Sequence, residues 1–276
     1  MKTPKERILN ILDILGKLII IVIMAFPFLW MISASFQTLQ ETITVPPTLI
    51  PGQINLDNFR EVFKTINVWQ YLRNSIIVCV SVVLLQYLII VPAAYSLAKI
   101  DYKAKPLMFA LVMVGQMIPM QITFLPIYFM FSKAKLMDTY TALIIPFISN
   151  PFGIFLLRQY FMQVPSEVIE AARLDDAGDF RIMWKIMMPM VRPALVTIGL
   201  LSFISNWNGY FWPLIMTNKD AFRTLPIGIA LLKDADSLQR WNVIMAGNLL
   251  LVLPMLLLYI FASKKIRNAF VYSGIK

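Results

Sequence analysis

The stretch "EAARLDDAGDFRIMWKIMMPM", residues 170–190, is rich in charge within a chain that is otherwise strongly apolar. Apolar residues make up 59% of the 276-residue sequence and charged residues only 14%, whereas an ordinary soluble domain carries about 25% charge. It belongs to a wider charged loop, residues 158–192, which long uncharged runs flank on both sides. It is therefore predicted to be an exposed loop between segments that lie in a membrane.

Uncharged windows near the length of a membrane span, about 20 residues, predict an all-α polytopic membrane protein with six transmembrane helices. The windows are residues 18–36, 74–98, 106–132, 139–157, 193–218 and 241–263. The predicted organisation is an N-terminal segment (1–17), a first span with its external loop (18–73), a transmembrane core (74–263) that contains the charged loop 158–192, and a tail (264–276).

Basic residues predict the orientation of these spans. Lys and Arg are more frequent around the two termini and in loops 99–105 and 158–192 than in the loops on the opposite side. Cytoplasmic loops carry such an excess, so both termini are predicted to be cytoplasmic. The net charge of +10 is explained by basic residues beside the spans, which are attracted to anionic lipid. It therefore does not require a nucleic-acid partner, and none is predicted.

The sequence offers no site for a metal, a cofactor or catalysis. It has one cysteine, Cys79, and no histidine, which removes the commonest metal ligand and the side chain that most readily moves protons near neutral pH. Glu167 and Glu170 lie one turn apart but are explained as acids that favour the start of a helix. An enzyme is therefore the least favoured class of protein.

The six windows contain no Asp, Glu, Lys, Arg or His. Carriers that are driven by ions or protons usually bury such groups where coupling occurs. The chain also lacks the glycine-rich Walker loop that cradles a nucleotide phosphate. A transporter of this composition is expected to draw its energy from a separate protein, and an ATP-independent carrier or channel for small polar solutes is the alternative.

Neutral polar and aromatic side chains in the windows are candidates for the wall of a translocation path. Polar groups in lipid must bond across helices or face a wet cavity. The run "SNWNGYFW" (205–212) combines amides, aromatics and a glycine, but an aromatic belt at the membrane surface explains its aromatic residues equally well. The candidates are Gln116, Gln121, Asn150, Asn206, Trp207, Asn208 and Tyr210.

The charged loop is predicted to form two short helices joined by a turn. Ser166 is expected to cap the first helix, which ends near Leu174, and Asp179 is expected to cap the second. The sequence "DDAGD" between them predicts the turn, because Asp and Gly tolerate turn conformations. In the second helix, an apolar stripe recurs at helical spacing on one face. The stripe consists of Phe180, Met183, Trp184 and Met187.

An apolar stripe of this kind can pack on the bundle, lie on lipid headgroups or fill a groove on another protein. The loop carries five of the fifteen acidic residues of the chain. This argues against headgroups, which prefer a basic polar face. Docking to a protein partner is the favoured interpretation.

The loop resembles the coupling motif of type I ABC importer permeases. Glu170, Ala171 and Ala172 match the start of that motif, and Ile186 and Pro189 match its later part. The stretches 117–140, 149–161 and 206–229 resemble the carbohydrate-uptake branch of the family. The likeness runs from the first span to the C-terminus and is strongest to the smaller permease of maltose-type transporters.

The resemblance implies a multi-pass permease of a bacterial or archaeal cell membrane. It would form a sugar path with a second homologous permease and work with two ATP-binding subunits, which hydrolyse ATP, and an external solute-binding protein. Loop 219–240 resembles the segment that meets the solute-binding protein, and the tail "NAFVYSGIK" (268–276) resembles one that reaches the ATP-binding subunits in some members. Oligosaccharides, monosaccharides, polyols and glycerol phosphates all remain open as substrates.

The resemblance and the apolar stripe together give a set of expected coupling residues. Asp176 stands where the family places its glycine, and Gly178 follows two residues later. Phe180, Met183 and Trp184 are added as expected anchors of the docking surface. The full set is Glu170, Ala171, Ala172, Asp176, Gly178, Phe180, Met183, Trp184, Ile186 and Pro189.

Overall fold

The computed structural model of the chain describes residues 4–46, 48–233 and 240–271. Within these ranges every regular element is helical, which confirms the predicted all-α class. The α-helices are α1 (Pro4–Phe36), α2 (Leu39–Ile43), α3 (Asp57–Thr65), α4 (Val68–Lys99), α5 (Lys105–Met117), α6 (Met120–Lys133), α7 (Tyr140–Ile144), α8 (Pro151–Gln163), α9 (Ser166–Leu174), α10 (Asp179–Arg181), α11 (Met188–Met190), α12 (Arg192–Trp207), α13 (Phe211–Met216), α14 (Leu225–Ala230) and α15 (Trp241–Val271).

Three helical segments are long and apolar enough to cross a membrane without a break, namely Leu12–Phe36, Val68–Lys99 and Trp241–Ile260. Three further candidate spans are pairs of helices with a bend between them, so the described residues provide between three and six crossings. The paired segments are Lys105–Met117 with Met120–Lys133 at 94°, Tyr140–Phe147 with Pro151–Gln163 at 45°, and Asp179–Met190 with Arg192–Trp207 at 82°.

Three of the six predicted windows are divided by a break between helices. Pro119 separates α5 from α6, and Pro151 starts α8. Proline lacks a backbone donor and disfavours helical geometry in the residue before it. The window 193–218 is also divided, because α12 ends at Trp207 and α13 begins at Phe211.

The chain forms two compact units. The first contains the residues up to Val68 together with Gly228–Pro254. In it, the Asn58 side-chain amide on α3 donates to the carbonyls of Ser35 (2.9 Å) and Gln37 (2.8 Å) at the end of α1. Asn242 at the start of α15 donates to the Asn58 side-chain oxygen at 2.7 Å. A buried asparagine thus joins three helices.

The second unit contains Trp69–Ile227 and the residues from Met255 onward. One buried cluster in it joins α4, α8, α9 and α12, and a second joins α4, α7 and α13. Polar side chains in these contacts bond to backbone carbonyls on neighbouring helices. Gln86 donates to Phe147 at 2.7 Å, and Trp212 donates to Ala142 at 2.9 Å.

Tyr87 on α4 packs closely against Gly199 on α12. The Tyr87 hydroxyl on α4 donates to the Leu195 carbonyl on α12 at 2.6 Å. A Cβ atom at position 199 would lie 2.0 Å from this hydroxyl oxygen and 3.1 Å from the ring carbon that bears it. Only glycine therefore fits at this position without displacing Tyr87.

We expect Gly199→Ala to destabilise the protein by about 1–3 kcal/mol, the usual cost of overpacking. The melting temperature can be followed in detergent through the reaction of a maleimide dye with the Cys79 thiol, which is buried in the folded protein. Tyr87→Phe removes the clashing oxygen and should restore part of the loss.

Gly16→Ala is the matched control, because a Cβ at that position meets no atom within 4 Å. It should leave the melting temperature unchanged or raise it slightly, since alanine is the better helix former. If Gly199→Ala melted at the temperature of the unaltered protein, the close packing of α4 on α12 would be wrong.

Candidate functional site

Residues 166–190, which we call the knuckle, form the predicted pair of short helices. The first is α9, which ends at Leu174 as expected. Ser166 is the first residue of α9 and not its cap, because the capping position is occupied by Pro165, with no side-chain hydrogen bond. The prediction that Asp179 caps the second helix is also wrong, since that position belongs to Gly178.

The turn between the two helices depends on a left-handed residue at Asp176. Its φ is +54°, whereas φ at Gly178 is −67°. The Asp176 amide donates to the Arg173 carbonyl at 3.1 Å and the Ala177 amide to the Ala172 carbonyl at 3.0 Å. This is the Schellman pattern, in which glycine usually takes the left-handed position. The aspartate therefore takes the left-handed position that glycine usually occupies in this pattern.

The Asp179 carboxylate holds the knuckle to the end of a span. Its Oδ1 accepts a hydrogen bond from the Tyr95 hydroxyl on α4 at 3.2 Å and one from the Arg173 guanidinium on α9 at 3.2 Å. Nearby, the Lys99 ammonium donates to the Val164 carbonyl at 2.6 Å. These contacts connect α9 and the turn before it to the end of α4.

The apolar stripe of the second helix does not lie on one face, because Ile182–Met187 is a π-helix. Its hydrogen bonds span five residues, so side chains are not placed at α-helical spacing. Met183 and Met187 are buried in the cluster that contains α4, α8 and α12, Trp184 is half-buried, and Phe180 is exposed. The predicted anchor role of Met183 is therefore corrected, since its side chain is 7% exposed.

The other expected coupling residues divide by exposure. Glu170, Ala171, Asp176, Gly178 and Pro189 are exposed, Ile186 is half-buried, and Ala172 is buried. Two exposed large apolar residues of the knuckle, Leu174 and Met190, were not among the expected residues. Leu174 is 87% exposed and Phe180 is 76% exposed. Leu174 is the last residue of α9, directly before the turn, where helical periodicity does not predict whether a side chain is exposed.

The candidate path residues differ in exposure. Gln116 and Gln121 flank the break between α5 and α6 and are exposed, as are Asn208 and Tyr210. Trp207 is buried and its ring stacks on Phe203 at 5.8 Å. This burial argues against a place for Trp207 on the path in this conformation.

Asn150 and Asn206 have structural hydrogen bonds. The Asn150 side-chain oxygen accepts from the Gly153 amide at 2.9 Å and caps α8, and Asn206 donates to the Ser202 carbonyl at 2.8 Å. Asn206 also lines a cavity of about 40 Å³ together with Ser75. A water molecule occupies about 30 Å³ in the liquid, so this cavity has room for water but not for a sugar.

A larger open groove of about 460 Å³ lies between α4, α5 and α8. Its lining includes Ser96, Tyr102, Gly115 and Ser149. Gly115 and Ser149 precede two path candidates, Gln116 and Asn150, in the sequence. The groove therefore lies beside two of the candidates, although neither of them is among its lining residues.

Two further segments were expected to contact partners, loop 219–240 and the tail 268–276, and the structure describes only part of each. In the external loop, the Asp138 carboxylate accepts from the amides of Asn218 (2.6 Å) and Lys219 (2.8 Å), and Asp220 pairs with Arg223. Residues 234–239 of that loop lie outside the described residues. The same is true of residues 272–276 in the tail, so the expected contacts of both stretches stay predictions.

Comparison with known proteins identifies related membrane proteins over the whole chain. Arabinooligosaccharides transport system permease protein AraQ of Halalkalibacterium halodurans is 33% identical over 279 residues, which is 100% of both chains. The sn-glycerol-3-phosphate transport system permease protein UgpE of Brucella abortus is 29% identical over 263 residues, which is 91% of this chain and 93% of the relative.

Two solved structures share the fold. One is a chain of a bacterial ABC transporter involved in the import of the acidic polysaccharide alginate, with a TM-score of 0.85, 24% identity, and coverage of 96% of this chain and 98% of that one. The other is a chain of a bacterial alginate ABC transporter in complex with an alginate pentasaccharide-bound periplasmic protein, with a TM-score of 0.68, 14% identity, and coverage of 95% and 96%.

A family match agrees with these relatives. Residues 90–267 match the family described as binding-protein-dependent transport system inner membrane component. This range contains the knuckle and the buried cluster on which it packs. The chain therefore belongs to the family of inner membrane components of binding-protein-dependent transport systems.

Proposed function

We propose that the chain is the membrane-spanning permease subunit of an ATP-driven importer of sugars or sugar-like solutes. It forms the path with a second permease, receives solute from an external binding protein, and is driven by two ATP-binding subunits. The names of the relatives support this class of substrate, since they refer to arabinooligosaccharides and glycerol phosphate. The lack of ionisable residues in the apolar windows supports an external source of energy.

The observation that carries the proposal is that two large apolar side chains beside the turn of the knuckle are mostly exposed. Leu174 and Phe180 lie on either side of the turn and are mostly exposed. Large apolar side chains that are exposed together mark sites of protein interaction. Charged neighbours on the same turn, including Arg173 and Asp175, are exposed as well. This mixture suits the surface of a cytoplasmic protein, which we identify with the ATP-binding subunit.

The knuckle is also built to transmit movement. Ile169, Ala177 and Ile182 are buried in the same cluster as Ile90 on α4 and Ile198 on α12. Protein interiors are close-packed, so a force on the knuckle displaces these helices together. We infer that closure of the ATP-binding subunits moves α4 and α12 through this cluster. ATP hydrolysis itself takes place in those separate subunits.

Replacing either exposed apolar side chain, Leu174 or Phe180, should weaken the contact with the ATP-binding subunit. We expect Leu174→Ala and Phe180→Ala each to reduce its affinity for the permease by about tenfold, because each change removes a large side chain from the contact. The affinity can be measured with the purified membrane complex in nanodiscs, together with ATP hydrolysis stimulated by the solute-binding protein.

Met162→Ala is the matched control for this experiment. Met162 is an exposed apolar residue near the end of α8 and lies outside the knuckle. It should retain full affinity and stimulated hydrolysis. Normal affinity in both knuckle variants would show that the ATP-binding subunit docks elsewhere, and the proposed coupling role would have to be abandoned.

The conformation of the turn gives a second test. A left-handed backbone costs an ordinary L-residue roughly 1–2 kcal/mol, and glycine avoids this cost. We therefore expect Asp176→Gly to preserve stimulated ATP hydrolysis and Asp176→Val to reduce both the melting temperature and the stimulation. Asp175→Val is the neighbouring control, because φ at Asp175 is −86° and any residue adopts it. Equal behaviour of the two valine variants would contradict the left-handed turn.

A further inference from the structure

The first compact unit contains an exposed apolar surface that the transport proposal does not use. It lies in the external segment between α1 and α3. Val45 is 93% exposed, Ile50 is 82% exposed and Ile54 is 75% exposed. We call the whole surface the outer patch. Its residues are Ile43, Val45, Leu49, Ile50, Ile54 and Leu56. Positions 42 to 56 contain no charged residue.

Hydrogen bonds hold the outer patch against the end of α1. The Ser33 hydroxyl donates to the Leu49 carbonyl at 2.6 Å, and the Gln37 side-chain amide donates to the Thr48 carbonyl at 2.7 Å. The Asn55 amide donates to the Phe36 carbonyl at 2.9 Å. Ser33 lies in the last turn of α1, about 4.5 Å below Phe36 along the helix axis. The segment therefore folds back to the level at which a membrane-crossing helix ends.

Two acids flank the patch in the sequence, Glu41 and Asp57. Asp57 pairs with Arg60 on α3, and Glu41 is used inside the segment. The Glu41 carboxylate accepts hydrogen bonds from the Thr38 amide at 2.8 Å and the Gly52 amide at 2.9 Å. The bond from the Thr38 amide lowers the pKa of Glu41 most, and the bonds from the Gly52 amide and the Thr38 hydroxyl lower it further. The carboxylate is thus directed at backbone donors of its own segment. It closes the segment around the patch and adds no charge to the patch residues.

We propose that the outer patch inserts into the outer leaflet of the bilayer, at the boundary between headgroups and acyl chains. Continuity with α1 places it at this depth, and its uncharged sequence fits an apolar phase better than water. Each large aliphatic side chain favours such a phase by more than about tenfold. A binding surface for the soluble solute-binding protein would be expected to carry charged groups that steer association, and this patch has none.

This insertion gives the external segment a mechanical role. The end of α1 and the start of α15 are joined through Asn58. A lipid-inserted patch attached to the same unit fixes the depth of these helix ends in the membrane. The outer patch is then a membrane anchor of this unit, independent of the substrate and of the ATP-binding subunit.

Fluorescence quenching tests the proposal in the assembled transporter in phosphatidylcholine nanodiscs. An environment-sensitive dye is attached at Ile50→Cys or Ile54→Cys in a Cys79→Ala background, with accessible cysteines of the other subunits replaced. Arg60→Cys on α3 is the control, since its side chain is 75% exposed and pairs only with the exposed Asp57 among the described residues. Lipids with a nitroxide near the headgroup and aqueous iodide serve as the two quenchers.

At positions 50 and 54 we expect a blue-shifted emission, quenching by the nitroxide lipid at least about twice that at position 60, and protection from iodide, as apolar partitioning requires. At position 60, iodide should quench the dye more strongly than the nitroxide lipid does. Strong iodide quenching at positions 50 and 54 would overturn the proposal and leave the patch in water. Protection from both quenchers, or protection only after the solute-binding protein is added, would place a protein on the patch and overturn it as well.

Discussion

The shared core of the knuckle and the spans is the constraint on which the other features of the site depend. Ile169, Ala177 and Met187 come from the knuckle, and Leu157 and Ile198 come from helices α8 and α12, yet all belong to one buried cluster. A separate excursion of this length would be too small to form a core of its own. Packing on the bundle gives the knuckle its stability. Because this shared core is close-packed, a force applied to the knuckle is transmitted to the spans.

The sequence was sufficient for the fold class and for the approximate positions of the spans, because a bilayer demands long uncharged segments. It did not give the angles at the breaks within them. Apolar composition is the same on both sides of Pro119, but the two helices there meet at 94°. Hydropathy measures how well a residue is tolerated in lipid and carries no information about the direction of the helix axis. Proline marks a possible break without fixing its angle.

The site was predicted less completely, for two physical reasons. Periodicity assumes α-helical geometry, and the π-helix at Ile182–Met187 turns part of the expected stripe into core. The exposure of a residue at the end of a helix depends on the following turn, so the sequence pattern did not predict that Leu174 is exposed. By contrast, the comparison of Asp176 with the family's glycine identified the one turn residue that has φ at +54°. A resemblance carries conformational information that a single pattern of hydropathy does not.

The knuckle and the outer patch both expose large apolar side chains, but their charge environments differ. Beside Leu174 and Phe180 lie Arg173, Asp175 and Arg181, all exposed. Insertion of such a surface in lipid would strip water from these charges at a cost that exceeds the gain from two apolar side chains. A protein surface can supply opposite charges and leave a wet rim. The outer patch contains no charged residue, and of the acids that flank it Glu41 is bound to backbone amides and Asp57 is paired with Arg60. Local charge, and not apolar area, thus assigns one surface to a protein partner and the other to the bilayer.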